Sequence, residues 1–284
     1  PGQAVVDASS GSTAISEAWF ARLLGLQFTA VVPANTAPGK IEAIRALGGQ
    51  CDLTAAGQCT QTRAREIAAD GACFLDQFGL AERATDWRGN NNIAESILGQ
   101  LAMEPHPHPS WIVCGVGTGG TSATIGRYLR YRGLPSQLCV AEPEGMVYAA
   151  AWQKRDRDAH VDCLSLIEGI GRQKVEPSFQ FGVVDEVIEV QDVASIAAML
   201  LLEDLLGFRY GGSSGTNLVA CLQLAARMKQ AGETGSIVTL LCDRGARYRA
   251  TLYDDAWRAE KNIEPDAWCT ALKNTLKTGV FATP

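Results

Sequence analysis

The stretch GVGTGGTSATIGRYL, residues 115–129, decides the fold prediction. It follows the apolar run WIVC and leads into a segment with helical spacing, so it predicts a loop between a strand and a helix. Gly117, Gly119 and Gly120 can adopt positive φ and let a ligand approach the backbone. The N–H groups at the start of the helix favour a negative charge. The loop therefore predicts an anion site at the carboxyl end of a strand.

Short apolar runs alternate with helical stretches along most of the chain. The predicted strands begin near residues 4, 28, 51, 73 (CFLDQF), 111, 137, 184 and 236. Helical spacing is clear in 13–25, 38–49 and 193–207. In 193–207 one apolar face ends at Gly207 as a C-cap and consists of Ile196, Met199, Leu200 and Glu203 with Leu206. This alternation predicts parallel βαβ units and an α/β fold.

A polar interval rich in Pro and Gly, near residues 85–110, interrupts this alternation and predicts two lobes. We assign residues 1–88 to the remainder of a smaller N-terminal lobe and 89–257 to a larger lobe that carries the glycine loop. Residues 258–284 are a C-terminal tail, expected to be a peripheral helix or an arm. Because the chain opens with Pro1 instead of Met, we expect an N-terminal segment to be missing.

Composition narrows the classes of function. The chain has 25 basic and 31 acidic residues, a net charge of −6 and no basic run, so neither nucleic acid nor a membrane surface is an expected partner. Nine cysteines without a Cys-x-x-Cys pair predict reduced core thiols of a cytoplasmic protein. There are only three histidines, and two of them lie in the stretch EPHPHPSW. No metal site is expected.

Two further loops have similar chemistry. ASSGSTA at 8–14 follows the first strand, and YGGSSGTN at 210–217 precedes another helix. Either one alone is equally consistent with a capped turn, because Ser and Thr are ordinary N-cap residues. Three such loops at the carboxyl ends of parallel strands predict a single ligand crevice at the edge of an open sheet.

A dinucleotide site is an alternative for the glycine loop. Gly115, Gly117 and Gly120 match GxGxxG, and Glu142 follows at the distance expected of a ribose-binding acid. Three or more predicted strands precede this loop, whereas the dinucleotide motif belongs to the first strand–helix turn of its unit. Its position therefore disfavours a nicotinamide cofactor.

The three loops together resemble the cysteine synthase and cystathionine β-synthase family of pyridoxal-phosphate enzymes, over about residues 4–248. DQF at 76–78, EGIGR at 168–172 and CDRGARY at 242–248 add to the resemblance. ASSGSTAISEAWFARLLG and DQFGLAERATDWRGNNNIAESI look most like its cysteine desulfhydrase branch. The implied fold is type II, tryptophan-synthase-β-like, with two doubly wound open-sheet lobes.

The resemblance implies pyridoxal 5′-phosphate (PLP) as the cofactor and assigns residues to it. The implied cofactor contacts are Gly117, Thr118, Gly119, Gly120 and Thr121 for the phosphate, Ser213 for the ring nitrogen, and Ser12 where most relatives have an asparagine. The implied contacts of the substrate are Ser9, Ser10, Gly11, Thr13, Gln77 and Gly169. The family's Schiff-base lysine precedes the carboxylate loop, and this chain has no lysine before Lys40. We therefore expect that lysine upstream of residue 1, and no residue of the chain is assigned as catalytic.

The implied activity is β-elimination on L-cysteine or a related β-substituted amino acid, which releases sulfide, pyruvate and ammonia. One alternative is a β-replacement cysteine synthase that joins O-acetylserine and sulfide. Another is an inactive, truncated relative that binds small anions or a partner protein. The resemblance also implies a homodimer with a small amino acid as its substrate.

Overall fold

The structure is a computed structural model that describes residues 2–89 and 91–284. Pro1 and Asn90 lie outside the described residues, and Asn90 belongs to the stretch RGNNN that contributes to the resemblance. The chain divides into two compact units, Pro1–Ala81 (unit 1) and Glu82–Pro284 (unit 2). The domain division at residues 88 and 257 stays a prediction.

Unit 1 is a parallel sheet with helices between its strands. Its elements are β1 (Ala4–Ala8), α1 (Ser12–Leu24), β2 (Gln27–Pro33), α2 (Pro38–Ala46), β3 (Gln50–Thr54), α3 (Thr60–Ala69), β4 (Cys73–Phe74) and α4 (Gln77–Leu80). The strand order is β3-β2-β1-β4, so β1 lies in the interior of the sheet. Helix α1 buries Ala14, Ala18 and Ala21 in one cluster with Phe28 of β2. These small side chains allow α1 to pack closely on the sheet.

Unit 2 is also a parallel four-stranded sheet, in the order β7-β6-β5-β8. Its elements are α5 (Ile93–Leu101), β5 (Trp111–Gly115), α6 (Gly120–Tyr131), β6 (Gln137–Pro143), α7 (Val147–Lys154), β7 (Glu186–Val190), α8 (Asp192–Leu206), α9 (Gly212–Ala231), β8 (Ile237–Thr239), α10 (Asp255–Glu260) and α11 (Asp266–Thr278). Two parallel sheets with interleaved helices confirm the α/β prediction. Helix α11 in the tail buries Leu272 in the same cluster as α8.

Two local predictions are wrong. The run CFLDQF at 73–78 is a strand only to Phe74, because Asp76 accepts a hydrogen bond from Gly79 N–H (3.1 Å) and caps a helix that begins at Gln77. Leu206 does not belong to a buried face of α8, since it is 45% exposed. Helix α8 packs against both α9 and α11, so most of its first three turns is buried, while its last turn reaches solvent.

The nine cysteines, all in the described part of the chain, are free thiols. Cys114 and Cys139 are buried in the sheet of unit 2. Cys59, Cys73 and Cys242 are exposed, and for these three the prediction of core thiols is wrong. Cys59 precedes α3, Cys73 is in the short edge strand β4, and Cys242 follows β8, so each lies outside the sheet interior.

Candidate active site

The glycine loop joins β5 to α6 in unit 2, as predicted. Gly119 has a φ of 91°, whereas Gly120 already belongs to α6 and Gly117 has no positive φ. The prediction of positive φ is therefore right for Gly119 alone. Gly117 is needed for a close approach instead, because a Cβ there would lie 2.5 Å from the carbonyl oxygen of Gly169. A Cβ on Gly119 would lie 2.6 Å from Cα of Phe179.

Helices α6 and α9 have no side-chain N-cap. Their N-cap residues are Gly119 and Gly211, and no side chain accepts a hydrogen bond at either position. The first N–H groups of a helix have no acceptor within the helix, so an anion can take this place. At both helix starts the N-cap residue is thus a glycine, which leaves these N–H groups without a side-chain acceptor from that position. The loop before α1 differs, because Ser9 Oγ accepts a hydrogen bond from Ala14 N–H (3.3 Å).

Three segments of unit 2 meet at the carboxyl end of β5. A Cβ on Gly115 would lie 2.9 Å from Ile170 Cγ2 and 3.3 Å from Asn217 Oδ1. Asn217 Nδ2 donates to the carbonyl of Leu240 (3.1 Å), while its buried Oδ1 has no hydrogen-bond partner. The structure thus brings together the glycine loop, the turn that contains Gly169, and helix α9, whose first turn carries Ser213.

Ser213 is only 7% exposed and lies beside the thiol of Cys242. Although residue 242 is exposed as a whole, desolvation of its thiol raises the pKa of Cys242, and hydrogen bonds with the hydroxyls of Ser213 and Ser214 oppose this shift. Ser214 Oγ also accepts a hydrogen bond from Cys242 N–H (2.9 Å). The hydrogen-bond partner of the Ser213 hydroxyl is thus an uncharged thiol, and the Ser214 hydroxyl contacts the same thiol.

Sequence reasoning missed two aromatic residues that hold the glycine loop. Tyr148 is fully buried in α7, and its hydroxyl donates to the carbonyl of Gly117. Its ring is tilted against Phe179, with centroids 4.4 Å apart. The run MVYAAAW at 146–152 gives no signal beyond burial, because a tyrosine in an apolar helix looks the same whatever its hydroxyl contacts.

Glu142 decides against the dinucleotide alternative. Its buried carboxyl group accepts hydrogen bonds from the backbone N–H groups of Tyr148 (3.1 Å) and Ala149, at the start of α7. It is therefore engaged by the protein and not presented to a ribose. The argument from position was wrong, however, because β5 is the first strand of its own sheet in chain order.

The predicted carboxylate loop, Ser9–Thr13, lies in unit 1 between β1 and α1. Ser12 begins α1 and is exposed, while Ser9, Ser10, Gly11 and Thr13 are half-buried. Gln77 lies at the start of α4, where its Nε2 donates to the carbonyl of Ala8 (3.2 Å) and its N–H donates to Asp7 Oδ1 (3.4 Å). The structure thus brings Gln77 to the strand end from which the loop departs.

A pair of carboxyl groups brackets this loop, and sequence reasoning missed both members. Asp7 is fully buried in β1, and it lies in hydrogen-bond contact with Glu17 of α1. Burial raises the pKa of Glu17 to about 9, and the Asp7 carboxyl acts in the same direction. The sequence signal that could have identified this pair is Asp7, an acidic residue in the otherwise apolar strand AVVDA.

The lysines lie away from the interior of both units. Lys40 is half-exposed in α2, and the other six, Lys154, Lys174, Lys229, Lys261, Lys273 and Lys277, are exposed. Lys229 donates to the carbonyl of Thr278, and Lys273 pairs with Asp204. Within residues 2–89 and 91–284, no group of His, Cys, Asp and Glu is placed to hold a metal ion, and no helix has the length and apolarity to cross a membrane.

Comparison with known proteins gives relatives over most of the chain. An L-cysteine desulfhydrase of Mycobacterium tuberculosis is 51% identical over 269 residues, which are 94% of this chain and 73% of that protein. Cysteine synthase 2 of Schizosaccharomyces pombe is 28% identical over 92% of this chain and 70% of its own length. The crystal structure of a hydrogen sulfide-producing enzyme from Fusobacterium nucleatum has a TM-score of 0.78 at 22% identity, covering 95% of this chain and 77% of that one.

The last of these matches shows the fold, which is that of PLP fold type II. The model of the pyridoxal-phosphate dependent enzyme family matches residues 1–243. That range includes both sheets, the glycine loop and the predicted carboxylate loop. The chain belongs to the family of pyridoxal-phosphate dependent enzymes, and its cofactor is PLP.

Proposed function

We propose that this chain is a PLP-dependent carbon–sulfur lyase that converts L-cysteine and water into pyruvate, ammonia and sulfide. The observation that carries the proposal is the uncapped glycine loop before α6, which meets the turn at Gly169 within the unit that also holds the uncharged Ser213. The 51% identity to an L-cysteine desulfhydrase supports the choice of substrate and reaction.

The residues of unit 2 fit the phosphate of PLP. The first N–H groups of α6 have no acceptor within the helix and no side-chain N-cap, because the N-cap residue is Gly119. We assign the phosphate to the backbone of Gly117, Gly119 and Gly120 and to the hydroxyls of Thr118 and Thr121. Tyr148 and Phe179 stabilise the conformation of this loop. Tyr148 donates a hydrogen bond to the Gly117 carbonyl, and Phe179 packs against Gly119.

Ser213 is assigned to the ring nitrogen of the cofactor. When bound, PLP withdraws electrons from the substrate's Cα and so eases loss of the Cα proton and of the β-substituent. A hydroxyl does not supply the negative charge that would hold a proton on the ring nitrogen. Ser213 therefore tempers electron withdrawal, which favours β-elimination over transamination.

The substrate carboxylate is assigned to unit 1. Ser9, Ser10, Gly11 and Thr13 supply hydroxyl and backbone donors at the start of α1, and Gln77 supplies its amide. Ser12 takes the place of the asparagine of most relatives, so its contact with the cofactor is shorter in reach or mediated by water. Gly169 adds a substrate contact at the turn beside Gly117.

The lysine that holds the cofactor in relatives has no match among the seven lysines, which are exposed or half-exposed. In this family the lysine amine also moves the Cα proton, so turnover depends on it. The 284-residue chain by itself should bind PLP but release little sulfide.

The test uses L-cysteine, PLP and a form of the protein that carries the family's lysine. Sulfide and pyruvate should appear in equal amounts without an added acceptor, because each turnover releases one of each. Faster formation of cysteine from O-acetylserine and sulfide would identify a synthase instead. Full activity of the 284-residue chain would show that one of its own seven lysines holds the cofactor.

We also propose a homodimer in the cytoplasm. Helix α1 exposes a row of large apolar side chains, Trp19, Phe20, Leu23 and Leu24, each between 48% and 67% exposed. Such a contiguous apolar face supports association with a second copy. The nine free thiols support a reducing compartment. Light scattering after gel filtration tests the dimer, and a monomer mass would contradict it.

We retain 1–88, 89–257 and 258–284 as the proposed domains.

A further inference from the structure

Asp7 and Glu17 lie on the two sides of the loop that we assign to the substrate carboxylate. Asp7 is the penultimate residue of β1, and Glu17 is in the second turn of α1. The loop Ser9–Gly11 connects these two elements. A contact between the two carboxyl groups therefore joins the strand end to the helix across the base of the loop.

Two buried oxygens without hydrogen-bond donors indicate that the contact between Asp7 and Glu17 includes a proton. Asp7 Oδ2 and Glu17 Oε2 are both buried and have no donor. Two ionised carboxylates in contact would leave both oxygens without a donor and would repel each other in a buried place. One proton on Glu17 satisfies both groups at once, because Glu17 then donates to Asp7.

We propose that Glu17 is a positioning residue: it holds a proton, donates it in a hydrogen bond to Asp7, and thereby fixes the loop that receives the substrate carboxylate. This role rests on the proposed function of Ser9–Thr13. Burial and the neighbouring Asp7 keep the proton on Glu17 at neutral pH, since its pKa is raised to about 9.

The position of Asp7 also affects Gln77, which is hydrogen-bonded to it. The N–H of Gln77 donates to Asp7 Oδ1, and its side-chain amide donates to the carbonyl of the next residue, Ala8. A shift of Asp7 therefore moves one assigned substrate contact directly and moves the start of the loop with it. Asp76, the N-cap of α4, also acts on Asp7, and its negative charge favours the shared proton.

Two variants separate the hydrogen bond from the charge. Glu17→Gln keeps a donor toward Asp7 but cannot ionise, whereas Glu17→Leu keeps the bulk and loses the donor. We expect Glu17→Leu to raise the KM for L-cysteine about tenfold with little change in kcat, and Glu17→Gln to restore the parent KM at neutral pH. Above about pH 9, Glu17→Gln should keep its low KM while the KM of the parent rises.

Thermal unfolding and hydrogen exchange of peptides covering residues 9–13 and 77–80 give readouts that need no turnover. The parent midpoint should fall as pH rises toward about 9, and the Glu17→Gln midpoint should fall less. Exchange in both peptides should rise in Glu17→Leu alone. Equal pH profiles for parent and Glu17→Gln would overturn the shared proton. If no form of the protein releases sulfide, the proposed function fails, but these two readouts still decide the role of Glu17.

Discussion

The hydroxyl of Tyr148 donates a 2.6 Å hydrogen bond to the carbonyl oxygen of Gly117. The Tyr148 ring packs on Phe179, and Cα of Phe179 occupies the place that a Cβ on Gly119 would need. The conformation of the glycine loop is therefore set by contacts with residues that lie 30 to 60 positions away in the sequence. This relationship gives the first two predictions.

Tyr148→Phe removes the hydroxyl and keeps the ring packing. We expect a loss of about 1 kcal/mol in the free energy of unfolding and weaker binding of PLP, since the Gly117 carbonyl loses its donor. Urea unfolding and titration of PLP absorbance measure the two effects. Trp152→Phe is the matched control, because Trp152 in the same helix donates to the carbonyl of Val184 instead. It should lower stability without weakening PLP binding, and an equal loss of binding in both variants would contradict the role of Tyr148.

Gly119→Ala tests the close approach of the loop to Phe179. Gly119 and Gly133 both have positive φ, but a Cβ meets Phe179 at Gly119 and nothing within 4 Å at Gly133. Gly133→Ala should cost about 1 kcal/mol from backbone strain alone. Gly119→Ala should cost about 1–3 kcal/mol more and should weaken PLP retention. Equal losses of stability in the two variants would show that the approach to Phe179 is unimportant.

The sequence was sufficient for features that depend on local pattern. Apolar runs located the strands β1, β2 and β5, and Gly207 was found as the C-cap of α8, with a φ of 70°. The glycine loop was found because several glycines between an apolar run and a helical segment are a strong local signal of a strand–loop–helix turn. Tyr148 and Glu17 were not found, since their roles depend on which atoms meet in the folded chain. Neither residue type is unusual in a helix.

Ser213→Asp tests the assignment of Ser213 to the ring nitrogen of PLP. A carboxylate there would hold a proton on that nitrogen and strengthen electron withdrawal. We expect PLP to bind still, while release of sulfide falls severely, by about tenfold or more. The absorbance of bound PLP and sulfide release are measured on the same samples.

Ser214→Ala is the control for Ser213→Asp. Ser214 is also buried, and its hydroxyl accepts from the N–H of Cys242, so its replacement disturbs the same turn without adding a charge. It should lower stability and leave the rate of sulfide release nearly unchanged per bound PLP. If Ser213→Asp released sulfide at the parent rate, Ser213 would not contact the ring.

Glu142 gives a prediction that needs no cofactor. Burial raises the pKa of Glu142 to about 8, against hydrogen bonds from Ala149 and Tyr148 N–H that favour its ionised form. Because the folded pKa lies above the unfolded value of 4.5, the folded protein binds more protons between about pH 4.5 and about pH 8. The contribution of Glu142 to stability therefore declines as pH rises through this window and is constant above it.

Glu142→Gln should remove this decline and should lower stability by about 1–3 kcal/mol at low pH, because one of the two backbone N–H groups then faces the side-chain amide nitrogen, which cannot accept a hydrogen bond. The gap between parent and variant should narrow as pH rises toward about 8. Urea unfolding at both ends of the window measures it. Glu189→Gln is the control, since Glu189 is exposed and the hydrogen bond that it accepts from Gly145 N–H (3.0 Å) can also be accepted by an amide oxygen, so it should change stability by less than about 0.5 kcal/mol. A gap that stays constant across the window would mean that Glu142 is ionised throughout, with its two N–H donors outweighing burial.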